Sequence, residues 1–274
     1  MQRTAAFFAL LSLSATSLFA QGIPPGPGFG PAGPPQPAKS AQAAAPADFT
    51  GYWVSVVTED WRWRMVTPIK GDFASIPLND EGRRVGNSWD PDKDTAAGEQ
   101  CRSYGAPAIM RVPGRVHISW ADENTLKVET DAGTQTRLFR FANTTIIGGG
   151  NPPYPTERSW QGLSLANWER PARGSGSPGF GLGATREGAH GRALEVVTTQ
   201  LRPGYLRKNG PPYSENTVLK EYYDLHKERN GDTWFTVTTV VTDPTYLTEP
   251  FVTSTDFKKI PDGAGWSPSA CTAK

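Results

Sequence analysis

The chain of 274 residues is poor in the groups that most site chemistry needs, with three histidines, three methionines and two cysteines. His117, His190 and His226 stand far apart, none at a metal-ligand interval from another histidine or a cysteine, so no zinc site is expected. An excess of charge of one sign is also missing. With 28 basic and 27 acidic residues the formal net charge is +1, which offers no global attraction to nucleic acid or to an anionic membrane. No Gly-x-Ser-x-Gly elbow is present, since Gly174-Ser175-Gly176-Ser177 is a low-complexity run. Gly148-Gly149-Gly150 and Gly179-Phe180-Gly181-Leu182-Gly183 neither end in Lys-Ser/Thr nor open a helix, so no phosphate cradle and no cofactor are expected.

Long apolar runs are confined to the start. Met1-Gln2-Arg3-Thr4 carries one positive charge, Ala5 to Leu18 is apolar or small, and Leu18-Phe19-Ala20 precedes Gln21. This is the order of a cleavable signal peptide over residues 1–20, too short to span a bilayer, and it places the mature protein in the periplasm or outside the cell. Such an address makes ATP and NAD poor candidates as partners. Residues 21–47, nearly all Gly, Pro, Ala, Gln and Ser, read as a disordered tether that cannot bury enough apolar surface to order itself. Residues 48–274 are sized for one domain with no integral membrane segment. In an oxidising compartment the isolated pair Cys101 and Cys271 reads as a disulfide.

What is present in the domain is β-rich. Gly51-Tyr52-Trp53-Val54-Ser55-Val56-Val57 opens it as a strand, and Trp61-Arg62-Trp63-Arg64-Met65 alternates at strand period. Leu78 to Trp89 allows a short helix capped by Asn79, with a second short piece from Asp94 to about Ser103. Val116-His117-Ile118-Ser119-Trp120, Leu126 to Thr130 and Thr136 to Phe141 form a meander. Strands follow near Ser159–Trp168, Ala193–Leu201, Thr217–Glu228, Thr233–Val241 and Phe251–Phe257, with Asn230-Gly231 as a hairpin turn and Pro171–Gly191 as a long loop. Eight to ten strands with one or two short helices predict an all-β, antiparallel, lipocalin-like barrel, with a sandwich as the alternative.

Gly51-Tyr52-Trp53 resembles the first strand of lipocalin or calycin-like barrels. A broader resemblance is to a group of secreted bacterial proteins of unassigned function. It is carried by Cys101 with Met110-Arg111-Val112-Pro113, Trp160-Gln161-Gly162-Leu163-Ser164 with Trp168-Glu169, Leu194-Glu195-Val196, Ser214-Glu215, Glu221, and Asp243-Pro244 with Pro250-Phe251. It implies a shared fold and no particular reaction. The Pro171–Gly191 insertion departs from the group's usual short turn.

Two functional readings stand. In the first, a small, partly hydrophobic and anionic ligand binds near Trp53, Trp61, Arg62, Trp63, Arg64 and Tyr223, with the guanidinium groups supplying bidentate hydrogen bonds. In the second, the same barrel is a cofactor-independent lyase or isomerase with Glu221 or His117 as base and an arginine at the oxyanion. Glu221 lies between Leu219 and Tyr223 on one strand face, where pairing with Arg62 or Arg64 is the simpler expectation. His226 shares a face with Tyr222 and Asp224, open to a relay or to an ordinary polar surface. A third reading is an interaction module displayed on the tether.

Overall fold

The computed structural model describes residues 39–141, 156–169 and 193–274. The expected signal peptide, the tether up to residue 38, His190 and the glycine-rich runs at 148–150 and 171–191 lie outside the described residues. Eleven strands and four short helices follow in the order β1 (Gly51–Val56), α1 (Trp61–Arg64), α2 (Asp80–Asn87), α3 (Pro91–Ala96), α4 (Ala106–Ile109), β2 (Arg115–Asp122), β3 (Thr125–Thr130), β4 (Gln135–Phe141), β5 (Leu163–Trp168), β6 (Ala193–Thr199), β7 (Gly204–Tyr205), β8 (Pro212–Tyr213), β9 (Val218–Lys227), β10 (Thr233–Thr242) and β11 (Phe251–Ile260).

Nine strands close a barrel in the order β1-β11-β10-β9-β6-β5-β4-β3-β2, while β7 and β8 form a separate small hairpin. All neighbours are antiparallel except β4 and β5, which run parallel from Phe139 opposite Ser164 to Phe141 opposite Ala166. The purely antiparallel expectation therefore needs correction: a closed ring with an odd number of strands cannot alternate direction all the way round. Helices number four rather than one or two, and Trp61–Arg64, expected as a strand, is one of them. Asp60 before it sits at φ 52°, a left-handed conformation that turns the chain out of β1 and starts the helical turn. Asn79 caps α2 by accepting from the Gly82 amide. Pro91 stops that run and opens α3 at its first turn, earlier than the expected start at Asp94.

Strand alternation sends Trp53, Val116, Ile118, Val128, Phe139, Val196, Tyr223, Phe235 and Phe257 inward, all buried. The interior is thus packed with side chains. Phe235 stacks on Phe257 at 4.7 Å and meets Trp53 edge-on at 4.6 Å. One polar layer crosses this core. Arg137 of β4 donates from Nη1 and Nη2 to both carboxylate oxygens of Glu221 on β9, at 2.8 and 2.5 Å. Its Nη2 also reaches Thr198 Oγ1 at 3.3 Å, Thr198 pairs with Ser164 at 2.7 Å, and the Tyr223 hydroxyl donates to Glu221 at 3.2 Å.

The two barrel ends are closed differently. At one, residues 39–49 fold back as a plug, although 39–47 were expected to belong to the tether. The Ala41 amide donates to Asn124 Oδ1, the Trp168 indole donates to the Ala41 carbonyl, and Phe49 stacks on Trp168. Aromatic partners on the barrel rim give this short stretch enough buried surface to order. At the other end, residues 57–114 and 201–217 pack as a cap around Phe73, Ile76, Leu206, Tyr213 and Leu247. Cys101 and Cys271 are joined by a disulfide, with Cα atoms 5.1 Å apart, which fastens the C-terminal tail to this cap. No described helix is long and apolar enough to cross a membrane.

Candidate functional site

The sequence-derived candidates scatter. Trp53 is wholly buried in the barrel, its indole donating to the Phe49 carbonyl at 2.9 Å. Tyr223 is likewise core, its hydroxyl pushed well above the ordinary range by burial and by the Glu221 carboxylate. Glu221 pairs with Arg137 rather than with Arg62 or Arg64. Within that pair, burial alone would depress the guanidinium, but Glu221 and Tyr223 outweigh it and hold Arg137 above its ordinary value. His117 lies on the outer wall, stacked on Tyr52 at 4.2 Å with Nδ1 3.1 Å from Glu129. His226 is also outside, 3.7 Å from Glu228. Glu221 and His117 therefore sit on opposite sides of the barrel wall and do not share a pocket.

Trp63 and Arg64 do meet a cavity. Because Trp61–Arg64 is helical, Arg62 and Arg64 do not share a face: Arg62 points into solvent, 4.0 Å from Asp72, while Arg64 turns inward. The Arg64 Nε donates to the Arg111 carbonyl at 3.0 Å and its Nη1 pairs with Glu59. Arg111, just after α4, donates to Asp60 at 2.9 Å. From the β7–β8 turn come Arg207 and Lys208. That turn is closed by a Gly210 amide donating to the Arg207 carbonyl, with Gly210 at φ +95° and its Cα close against Trp89. Asn209 braces the turn against the carbonyls of Ile69 and Asp72. The tail supplies the last wall: Ser269 pairs with Asp131, and Thr272 accepts from Lys208 at 3.1 Å.

Together these elements enclose about 420 Å³, lined by Arg64, Arg111, Arg207 and Lys208, by apolar groups such as Trp63, Val112 and Leu206, and by no Asp or Glu. Arg64, Arg111 and Arg207 are each only 8 % exposed. Among the described residues, Trp63 Nε1, Arg64 Nη2, Arg111 Nη1 and Arg207 Nε are buried donors without a partner. Burial first, then the nearby Arg111, pulls Arg207 down to about 10 against the opposing pull of Asp72 and Asp60. Arg64 is lowered by the same two causes, although Glu59 offsets part of the effect. An anion placed here would meet donors, relieve cation–cation repulsion and find apolar walls for its remainder.

A second, larger groove of about 730 Å³ runs between Asp72–Pro77 and Glu249–Val252, but it is shallow and carries both Arg83 and Glu249. It offers no comparable charge. Arg111, Arg207 and Lys208 were not singled out from the sequence, because the segment of Arg111 and the β7–β8 turn are far apart along the chain. The one legible signal was Leu206-Arg207-Lys208 running into the Asn209-Gly210 turn. Compared with protein-family models, with curated proteins and with solved structures, the chain matches none.

Proposed function

We propose that the protein is an exported binding protein for a small molecule with an anionic group and an apolar body, held in the cavity at the capped end of the barrel. The observation that carries this reading is the set of three arginines, each more than nine-tenths buried, lining a cavity without any carboxylate on its wall. Arg64 and Arg111 each hold one carboxylate, Glu59 and Asp60, from behind the wall, but burying a cation without a matched anion is costly and Arg207 has no carboxylate within ion-pair distance among the described residues. Arg207 instead rests on the carbonyls of Asp72 and Ala74. Trp63 supplies a flat apolar wall, and the volume lies within the range of small-molecule pockets.

Phenyl phosphate is a suitable probe, since it pairs a dianion with a ring. Titrated into the purified protein, it is expected to raise the melting temperature, because a ligand bound only to the folded state stabilises it by mass action. Arg207→Gln is expected to abolish the rise and Arg207→Lys to retain part of it, with circular dichroism confirming the fold of both. No rise in the wild type, or an equal rise in Arg207→Gln, would overturn the assignment.

A further inference from the structure

Six large apolar side chains stand out in solvent among the described residues, and four of them fall within nine consecutive positions: Trp61 at 67 %, Met65 at 60 %, Val66 at 68 % and Ile69 at 79 % exposure. The same stretch forms one lip of the cationic cavity, through Trp63, Arg64, Thr67 and Pro68. From Trp61 to Gly71 it carries Arg62, Arg64 and Lys70, with Glu59, Asp60 and Asp72 just outside it; Arg64 is buried against Glu59 and Arg62 lies 4.0 Å from Asp72. This edge therefore sets four exposed apolar side chains, with Arg62 and Lys70 among them, beside a cavity whose wall carries Arg111, Arg207 and Lys208. Isolated exposed apolar residues need no explanation, but a contiguous group does.

From this we propose that residues 61–69 dock the protein on an anionic lipid surface, with a lipid phosphate entering the cavity. The proposal rests on reading the cavity as an anion site. Its chemistry is that of interfacial binding: Trp61, Met65, Val66 and Ile69 enter the headgroup boundary, and Arg62 and Lys70 meet the negative surface. Tryptophan suits that position, having an apolar body and one polar tip. Neither half suffices alone, because so few apolar side chains bind a bilayer weakly and a recessed phosphate site cannot reach a flat membrane without them.

The test is sedimentation with vesicles of phosphatidylcholine alone or mixed with phosphatidylglycerol. The wild type is expected to pellet with the mixed vesicles, roughly tenfold more weakly with the neutral ones, and less as salt rises. Trp61→Ser with Ile69→Ser changes only exposed positions and leaves the N-terminus intact. It is expected to lose roughly tenfold in vesicle affinity while keeping the phenyl phosphate response. Failure of the wild type to pellet, or undiminished pelleting by the double variant, would overturn docking. If phenyl phosphate still binds in that case, the cavity reading stands alone; if it does not, both fall. A double variant altered only in its oligomeric state would assign the patch to a second copy and likewise overturn docking.

Discussion

Glu221→Gln is expected to unfold the protein far more easily, and its magnitude follows from the barrel's polar layer. Glu221 is fully buried and the Arg137 side chain is 1 % exposed, joined by two hydrogen bonds at 2.8 and 2.5 Å. Glutamine keeps the volume, so no cavity opens, but it leaves a guanidinium without its counter-charge. Removing one partner of a buried pair costs about 3–5 kcal/mol. At about 2–4 °C per kcal/mol for a domain of this size, the melting temperature should fall by roughly 6–20 °C. Replacing both charges, as in Arg137→Met with Glu221→Leu, should restore most of that loss, because a buried pair exchanged for apolar side chains is neutral or stabilising by about 1–4 kcal/mol. The Tyr223 hydroxyl then loses its acceptor at a cost of about 1–3 kcal/mol, so adding Tyr223→Phe should help further. Urea titrations followed by circular dichroism measure all three against the wild type. If Glu221→Gln lies within about 1 kcal/mol of the wild type, or the double replacement is no better than the single one, the layer is not the buried pair described above.

Replacing Cys101 and Cys271 by serine removes a link between residues separated by 170 positions, for which chain entropy gives about 5 kcal/mol. It also frees the tail that carries Ser269 and Thr272, so phenyl phosphate affinity should fall along with the denaturation midpoint. Affinity for phenyl phosphate should also decline as pH rises through about 10, where Arg207 loses its proton. The sign follows from the depressed value: the charged form, which the anion needs, is complete below it and lost above it. The probe's second ionisation lies near pH ~6, so its own charge stays constant over that window. Calorimetry at successive pH values on a Lys208→Gln background, which removes the only lysine among the described residues of the cavity wall, isolates the arginine, and a flat profile to pH ~12, as expected of an ordinary arginine, would contradict the assigned environment.

The wall of the barrel was readable because strand period is a local property. Val116, Ile118 and Trp120 against His117 and Ser119 announce β2, and Asn230-Gly231 announces the turn between β9 and β10. The parallel step from β4 to β5 was not readable, since the direction in which a strand re-enters a sheet depends on closure of the whole ring. Trp61-Arg62-Trp63-Arg64 misled for a related reason: alternation over four residues is too short to overrule the turn that left-handed Asp60 imposes. The partner of Glu221 was within reach, because Arg137 shares parity with inward Phe139 just as Glu221 does with Leu219 and Tyr223. Two opposite charges on inward faces of different strands imply each other, even when sequence cannot say that the strands are near. The cavity has no such signature. Its arginines lie at positions 64, 111 and 207, in α1 and two loops brought together only by the cap.

The tryptophans at the two ends of the barrel are used differently. Both ends are covered by tryptophan and by segments outside the sheet. At the Phe49 end, the indoles of Trp53 and Trp168 each donate to a carbonyl of the plug itself. At the other end, Trp63 and three arginines retain buried donors without partners among the described residues, and burial, helped by the nearby Arg111, depresses Arg64 and Arg207. Buried donors are costly to leave unmatched; single ones also occur elsewhere among the described residues, as at Trp234 Nε1 and Arg137 Nε, but at the capped end four of them adjoin one cavity. Among the described residues the interior is filled by aromatic side chains and crossed by the Arg137–Glu221 pair. A plug uses its hydrogen bonds on itself. On the proposed reading, the four donors behind the cationic wall, with Trp61, Met65, Val66 and Ile69 at its lip, are the groups that a bound anion would satisfy.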